Sequence, residues 1–215
     1  MLPKVENARL VRFAALAGMI GPLLFGAMLV VLTVLEYDFM RSLRWDPIYA
    51  ATTDWPSGLS LGPYGAWMIA TFILSGLLLM LFALSLRQLF PKSPGPALLF
   101  ISGIAVMLLS SLTDPTFRST PATLYGEIHD AAYTLLGLSF LPGLIVLAWE
   151  FGKSAEWRLH ARLTWLVAAL TIPTFYIKGI TFYIFLLSVL IWYELTALRI
   201  WQLLRNSFVT ENPPQ

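Results

Sequence analysis

Long apolar runs without charge alternate along this chain with short links that hold nearly all of its ionisable residues. The first run, Phe13 to Leu35, is long enough to cross a hydrocarbon core of about 30 Å at about 1.5 Å per residue. A basic lead-in (Lys4, Arg9, Arg12) precedes it, as in a signal peptide. The apolar core of a signal peptide, however, covers only about 7–15 residues and ends at a small-residue cleavage site. This run is longer and exits into Glu36-Tyr37-Asp38, so a retained span is expected, with Gly21-Pro22 as a kink.

A polar, aromatic-rich loop follows from Glu36 to Pro63. Its Trp45, Tyr49 and Trp55 suit a membrane–water interface, where an apolar ring and a polar tip are both satisfied. Gly62-Pro63 punctuates before the second run, Tyr64 to Leu86, which stops at Arg87. The turn signal Lys92-Ser-Pro-Gly-Pro96 separates it from a short third run, Ala97 to Leu112. The fourth run, Ala131 to Trp149, contains Pro142-Gly143, and a charged link from Glu150 to Arg162 comes next. As a single helix Leu163 to Leu204 would be about 63 Å long, twice the bilayer core, so it must fold back. Lys178-Gly179 is the natural hairpin, and Pro173 ends or kinks the helix before it.

These breaks predict an all-α fold, a six-helix transmembrane bundle. The approximate spans are 13–35, 64–86, 97–113, 126–149, 161–177 and 180–204, between an N-terminal segment 1–12 and a tail 205–215. Composition agrees: 58% of residues are hydrophobic and 12% charged, against about 25% charged in a soluble domain. Charge distribution then orients the bundle. With the N-terminus in the cytoplasm, only Arg41, Arg44, Arg118 and Lys178 of the 14 basic residues fall outside. The positive-inside rule therefore places both termini in the cytoplasm of a multi-pass cell-membrane protein.

The absence of cysteine excludes disulfides, thiolate metal sites and cysteine nucleophiles. The two histidines, His129 and His160, are too few for a three-histidine zinc site and fall on opposite faces, which argues against haem. No P-loop, dinucleotide fingerprint, G-x-S-x-G or H-E-x-x-H motif is present, so no nucleotide site is expected. A net charge of +2 is too small to suggest nucleic acid. The expected partners are the lipid bilayer and a lipid or small-molecule ligand.

Ionisable chemistry gathers between Ser110 and Tyr133, where Asp114, Arg118, Glu127, His129 and Asp130 lie close together in sequence. Asp114-Pro115 reads as a helix cap, and Thr120-Pro121 repeats the signal at the start of the fourth helix. Counted from Pro121, residue 129 lies about 12 Å along the axis, level with Asp114 on the neighbouring helix. Adjacent helical residues point about 100° apart, so His129 is expected to pair with Asp114 rather than with Asp130. This pair is a structural hydrogen bond between helices, or belongs to a binding or catalytic site with Asp114 and His129 as the catalytic candidates, or makes no contact at all. Glu127 and Asp130 share a face that suits a cation or plain solvation. His160 is expected to be solvated. Glu194 reads as a snorkelling group, a partner of Arg12 or Arg162, or a proton relay. Ser75-Gly76, Ser102-Gly103 and Gly137 read as close-packing positions.

Several stretches together carry a family resemblance: Gly21-Pro-Leu-Leu-Phe25, Gly62-Pro-Tyr-Gly-Ala-Trp-Met68, Phe72-Ile-Leu-Ser-Gly76, Phe82-Ala-Leu84, Leu112-Thr-Asp-Pro115 and Gly126-Glu-Ile-His-Asp130. In this order the chain resembles the domain-of-unknown-function 998 family, mostly prokaryotic integral membrane proteins with about six helices. The resemblance implies a prokaryotic cytoplasmic membrane and no settled activity. Its most specific part falls on Asp114-Pro115, Gly126, His129 and Asp130. Members often carry Ser-Asp or Ser-Glu in the first loop, where this chain reads Tyr49-Ala-Ala-Thr-Thr-Asp54, and Gln-Arg before the sixth helix, where it has Lys178-Gly179.

The leading expectation is a polar small-molecule or lipid-headgroup site at the outer ends of the third and fourth helices. Its lining would be Asp114, His129, Asp130 and Glu127, with Arg118 and Asp54. The alternatives are a lipid-acting hydrolase or transferase using an Asp–His pair, a proton-coupled transporter with a path towards Glu194, and a non-catalytic scaffold.

Overall fold

The computed structural model describes residues 8–43, 56–112, 123–174 and 180–211, which are helical and contain no strand. Six long helices follow the apolar runs: α1 (Ala8–Leu35), α3 (Gly65–Leu89), α4 (Gly95–Leu108), α5 (Leu124–Gly152), α6 (Arg158–Thr174) and α7 (Ile180–Glu211). A short α2 (Tyr37–Ser42) and 3₁₀ turns at Pro56–Leu61, Leu109–Ser111 and Ala155–Trp157 fill the links. Four helices are long and apolar enough to cross a membrane: α1, α3, α5 and α7. Large apolar side chains such as Leu23, Val34, Leu138 and Leu166 point outward, which is tolerable in lipid and costly in water.

Neighbouring helices form a closed ring in the order α1, α3, α4, α5, α6, α7 and back to α1. Short links alternate their directions. One end, here called upper, is where α1 and α4 finish and α3, α5 and α7 begin. The α6–α7 seam is the sparsest in the ring.

Lipid tails offer helices no hydrophobic reason to associate, so close packing and hydrogen bonds hold such a ring. Gly76 and Gly103 bring α3 and α4 together backbone to backbone; a Cβ on Gly103 would lie 2.7 Å from the Gly76 carbonyl oxygen. Ser102 Oγ and Ser139 Oγ share a buried 2.9 Å hydrogen bond between α4 and α5. Trp192 Nε1 donates to Thr164 Oγ1 at 2.8 Å, joining α7 to α6. Proline interrupts the helices less than its reputation suggests. Pro22 and Pro142 lie inside α1 and α5, while Pro173 stands one residue before the end of α6.

Two departures from the sequence expectations concern the upper end. The fourth long helix, α5, does not begin at Thr120-Pro121. Thr123 caps it, with extended backbone and a side-chain oxygen that accepts from Gly126 N–H at 3.1 Å. His129 therefore sits in the second turn of α5, about 7.5 Å along the axis from Leu124. Glu36, which reads in the sequence as the mere exit of the first span, is almost fully buried where α1 meets α2.

Candidate functional site

The ring encloses a cavity of about 570 Å³ that every long helix helps to line. It touches both packed clusters of the protein. Phe25, Phe72 and Leu109 belong to the upper one, and Leu79, Phe140 and Tyr193 to the lower one. Pro56 and Ser57, from the 3₁₀ turn at Pro56–Leu61, reach in at the upper end. Below the cavity Trp192 meets Phe82 and Phe140 edge to face, at ring separations of 6.5 and 6.4 Å. This size is typical of small-molecule sites, which are mostly apolar with a few placed polar groups.

Three such groups stand out. Ser75 Oγ, His129 Nε2 and Tyr193 Oη are buried, and none has a hydrogen-bond partner among the described residues. All three residues line the cavity. Buried polar atoms are nearly always paired, because an unpaired one forfeits its water without compensation. The contrast on α3 is direct. Thr71, one turn before Ser75, turns its hydroxyl back to Trp67 O at 2.7 Å, as hydroxyls in apolar helices ordinarily do. Thr171 and Thr174 also line the cavity, and their hydroxyls are satisfied by Val167 O and Thr171 O. The free groups are therefore a subset, spread across α3, α5 and α7.

His129 and Asp130 part company at the upper rim. The His129 side chain is 12% exposed and the Asp130 side chain 81%. His129 Nδ1 lies 3.4 Å from Asp130 Oδ1, a long but real contact. This corrects the expectation that the two cannot meet: side-chain torsions close the gap that the 100° helical offset opens. Asp114, Arg118 and Asp54 lie outside the described residues, as does Lys178, so the Asp114–His129 pair is a matter for proposal. Glu127 is exposed, faces away from the cavity lining, and suits the positive end of α5. Among the described residues no three His, Asp or Glu side chains converge as a metal site would require. Of the hydroxyls near His129, Ser111 Oγ donates to Tyr125 O at 3.3 Å, and Thr113 lies outside the described residues.

Three further expectations are revised. Ser75 and Gly137, read as packing positions, line the cavity. His160 is half-buried rather than solvated: its Nε2 lies 3.3 Å from Leu195 O, and its ring meets Trp157 edge to face. One oxygen of Glu194 is buried with no partner among the described residues, and the residue does not line the cavity.

Glu36 anchors the roof. Its Oε1 accepts from Tyr64 N–H at 2.6 Å, tying the α1–α2 corner to the chain just beyond the Pro56–Leu61 turn. Its Oε2 is buried without a partner among the described residues and lies against Gly62, where any Cβ would collide with it. Burial raises the carboxyl's pKa above its ordinary 4.5, partly offset by the Tyr64 hydrogen bond.

Ser75, Tyr193 and Glu36 are absent from the residues that sequence reasoning singles out for a site. A serine among leucines looks like a packing residue, and only the missing back-bond marks it. Tyr193 adjoins Glu194, which draws attention to the wrong neighbour.

No curated protein and no solved structure matches this chain. A family model does, over residues 19–199, which include every long helix at least in part. The chain is an integral membrane protein of the family described as "Protein of unknown function (DUF998)".

Proposed function

We propose that this protein holds an elongated, mainly apolar small molecule inside its ring of helices, with the polar groups of that molecule paired to His129, Ser75 and Tyr193. One observation carries the reading: three buried polar atoms with no partner among the described residues belong to side chains that line one cavity of about 570 Å³. A bound molecule removes all three desolvation costs at once. The site lies nearer the bundle axis than a headgroup site at the helix ends would. Asp130 stands at its rim, and Asp114, Arg118 and Asp54 remain candidates for the mouth.

The membrane arrangement belongs to the same proposal. All six long helices cross the bilayer, both termini are cytoplasmic, and the upper end faces outward. The charge asymmetry of the links supports this, and α4 and α6 lie between longer spans in the ring. Because the chain has no cysteine, single cysteines at Asp38 and at Lys153 test the orientation without a background. An impermeant thiol reagent on intact cells should label the first and spare the second.

Native mass spectrometry of the detergent-purified protein tests the ligand reading. Wild type should retain a molecule that Gly137→Leu, which intrudes on the cavity, releases. An empty wild-type cavity after gentle extraction, with no lipid stabilising the protein on re-addition, overturns it.

The transporter alternative lacks support, since Glu194 lies outside the cavity lining and Trp192 packs against both Phe82 and the lining residue Phe140.

A further inference from the structure

We infer that the molecule bound in this cavity is a neutral lipid alcohol, its hydroxyl donating a hydrogen bond to His129 Nε2. The inference rests on the ligand reading above and adds the chemical class.

The exposed Asp130 carboxylate offers only acceptor oxygens, so a hydrogen bond across its 3.4 Å contact with His129 Nδ1 places the proton on Nδ1. A neutral imidazole, the form that an apolar lining accommodates, has one N–H. Nε2 is then a lone-pair acceptor. It is buried, it has no partner among the described residues, and His129 lines the cavity. Whatever satisfies it must donate. A ketone, an ester carbonyl, an ether or a quinone presents only acceptors there and would set lone pair against lone pair. A hydroxyl fits.

Charge narrows the class further. The described lining holds no lysine or arginine, and its one carboxylate, Asp130, stands at the exposed rim. Among these described lining residues a phosphate would lose its water and find no cation, besides facing Asp130. A primary ammonium can donate, but it meets the same apolar walls with only the rim carboxylate to balance it. A neutral donor on a long apolar body satisfies every wall. Deeper in the ring, the Ser75 and Tyr193 hydroxyls both donate and accept, so they suit either an oxygen farther along the molecule or a second hydroxyl.

The test compares three probes that share one chain: oleyl alcohol, methyl oleyl ether and oleyl phosphate. Each is isotopically labelled and titrated into the full-length protein in phosphatidylcholine nanodiscs. The alcohol should bind roughly tenfold tighter than the ether, since the ether leaves Nε2 unsatisfied. His129→Phe should bring the two within about twofold, as expected when one hydrogen bond is removed from both comparisons. Asp130→Asn, a change at an exposed site that leaves the fold intact, should shrink the gap by freeing the ring to carry its proton on either nitrogen. Equal binding of alcohol and ether to wild type overturns the inference, and so does tightest binding of the phosphate. Binding of none of the three overturns it as well. Gly137→Leu keeps the two readings apart: if it weakens every probe alike, or releases a co-purified lipid, the cavity reading stands whatever becomes of the alcohol.

Discussion

The Trp192 indole N–H donates at 2.8 Å to the Thr164 hydroxyl, and both side chains are wholly buried between α7 and α6. The bond sits on the sparsest seam of the ring, below the cavity. Thr164 passes its own proton on to His160 O at 2.6 Å, so the chain of bonds is complete. Interhelical hydrogen bonds in membrane proteins contribute about 0.6 kcal/mol on average and at most about 1.7 kcal/mol. A double-mutant cycle of Trp192→Phe and Thr164→Val should give a coupling near the upper figure. Thermal unfolding in detergent measures it, and simple additivity of the two changes would count against the bond.

Ser75→Ala and Tyr193→Phe should separate stability from binding. Each removes a buried polar atom that has no partner among the described residues. The ligand-free protein should therefore be as stable as wild type, or more stable by about 1 kcal/mol. Ligand retention should fall in both. A loss of stability in the empty protein would show that these hydroxyls serve the fold.

Glu36 makes stability depend on pH in an unusual direction for a carboxylate. Its pKa in the folded chain is raised, so the folded state holds the proton more tightly than the unfolded state does. The stabilisation from that proton is complete below about pH 4.5, the ordinary value, and disappears as pH rises through the raised one. Glu36→Gln should remove this dependence while its carbonyl oxygen keeps the Tyr64 N–H paired. The comparison is a melting-temperature profile of both proteins from acid to neutral pH; parallel profiles would refute it.

Glycine replacements should divide by site. Gly103→Ala forces a methyl against the Gly76 carbonyl oxygen and Met80, and should cost about 1–3 kcal/mol by pushing α3 and α4 apart. Gly152→Ala meets nothing within 4 Å at the end of α5, where better helix propensity should make it neutral or stabilising by up to about 1 kcal/mol. Melting temperatures of the two variants in the same detergent decide the matter. A destabilised Gly152→Ala or an unaffected Gly103→Ala would sink it.

The all-helical architecture was legible because a membrane span announces itself by length and lack of charge, and α1, α3, α5 and α7 answer to that rule. Helix ends were less so. Arg9, Arg12, Arg87 and Arg205 lie in the helices although they sit outside the apolar runs, because a charged side chain at a helix end reaches water without interrupting the backbone. The Gly76–Gly103 contact and the Ser102–Ser139 bond fit the small-residue pattern. Only part of the candidate site could be read in advance. His129 declared itself as an ionisable residue at membrane depth. Ser75 could not, since what distinguishes it from Ser102 is the absence of a partner, and partners are a property of the fold. Glu36 could not either: its burial depends on Gly62, which lies across a long loop in sequence.

The aromatic floor made by Phe82, Phe140 and Trp192 has a kinetic meaning. In the ligand reading, an occupant that cannot pass these rings departs by the way it came before a successor arrives. Residence time and turnover are then one quantity, set at the mouth. The Glu36-anchored turn and the slack α6–α7 seam become the places where a change alters how long an occupant stays, with little effect on which occupant is preferred.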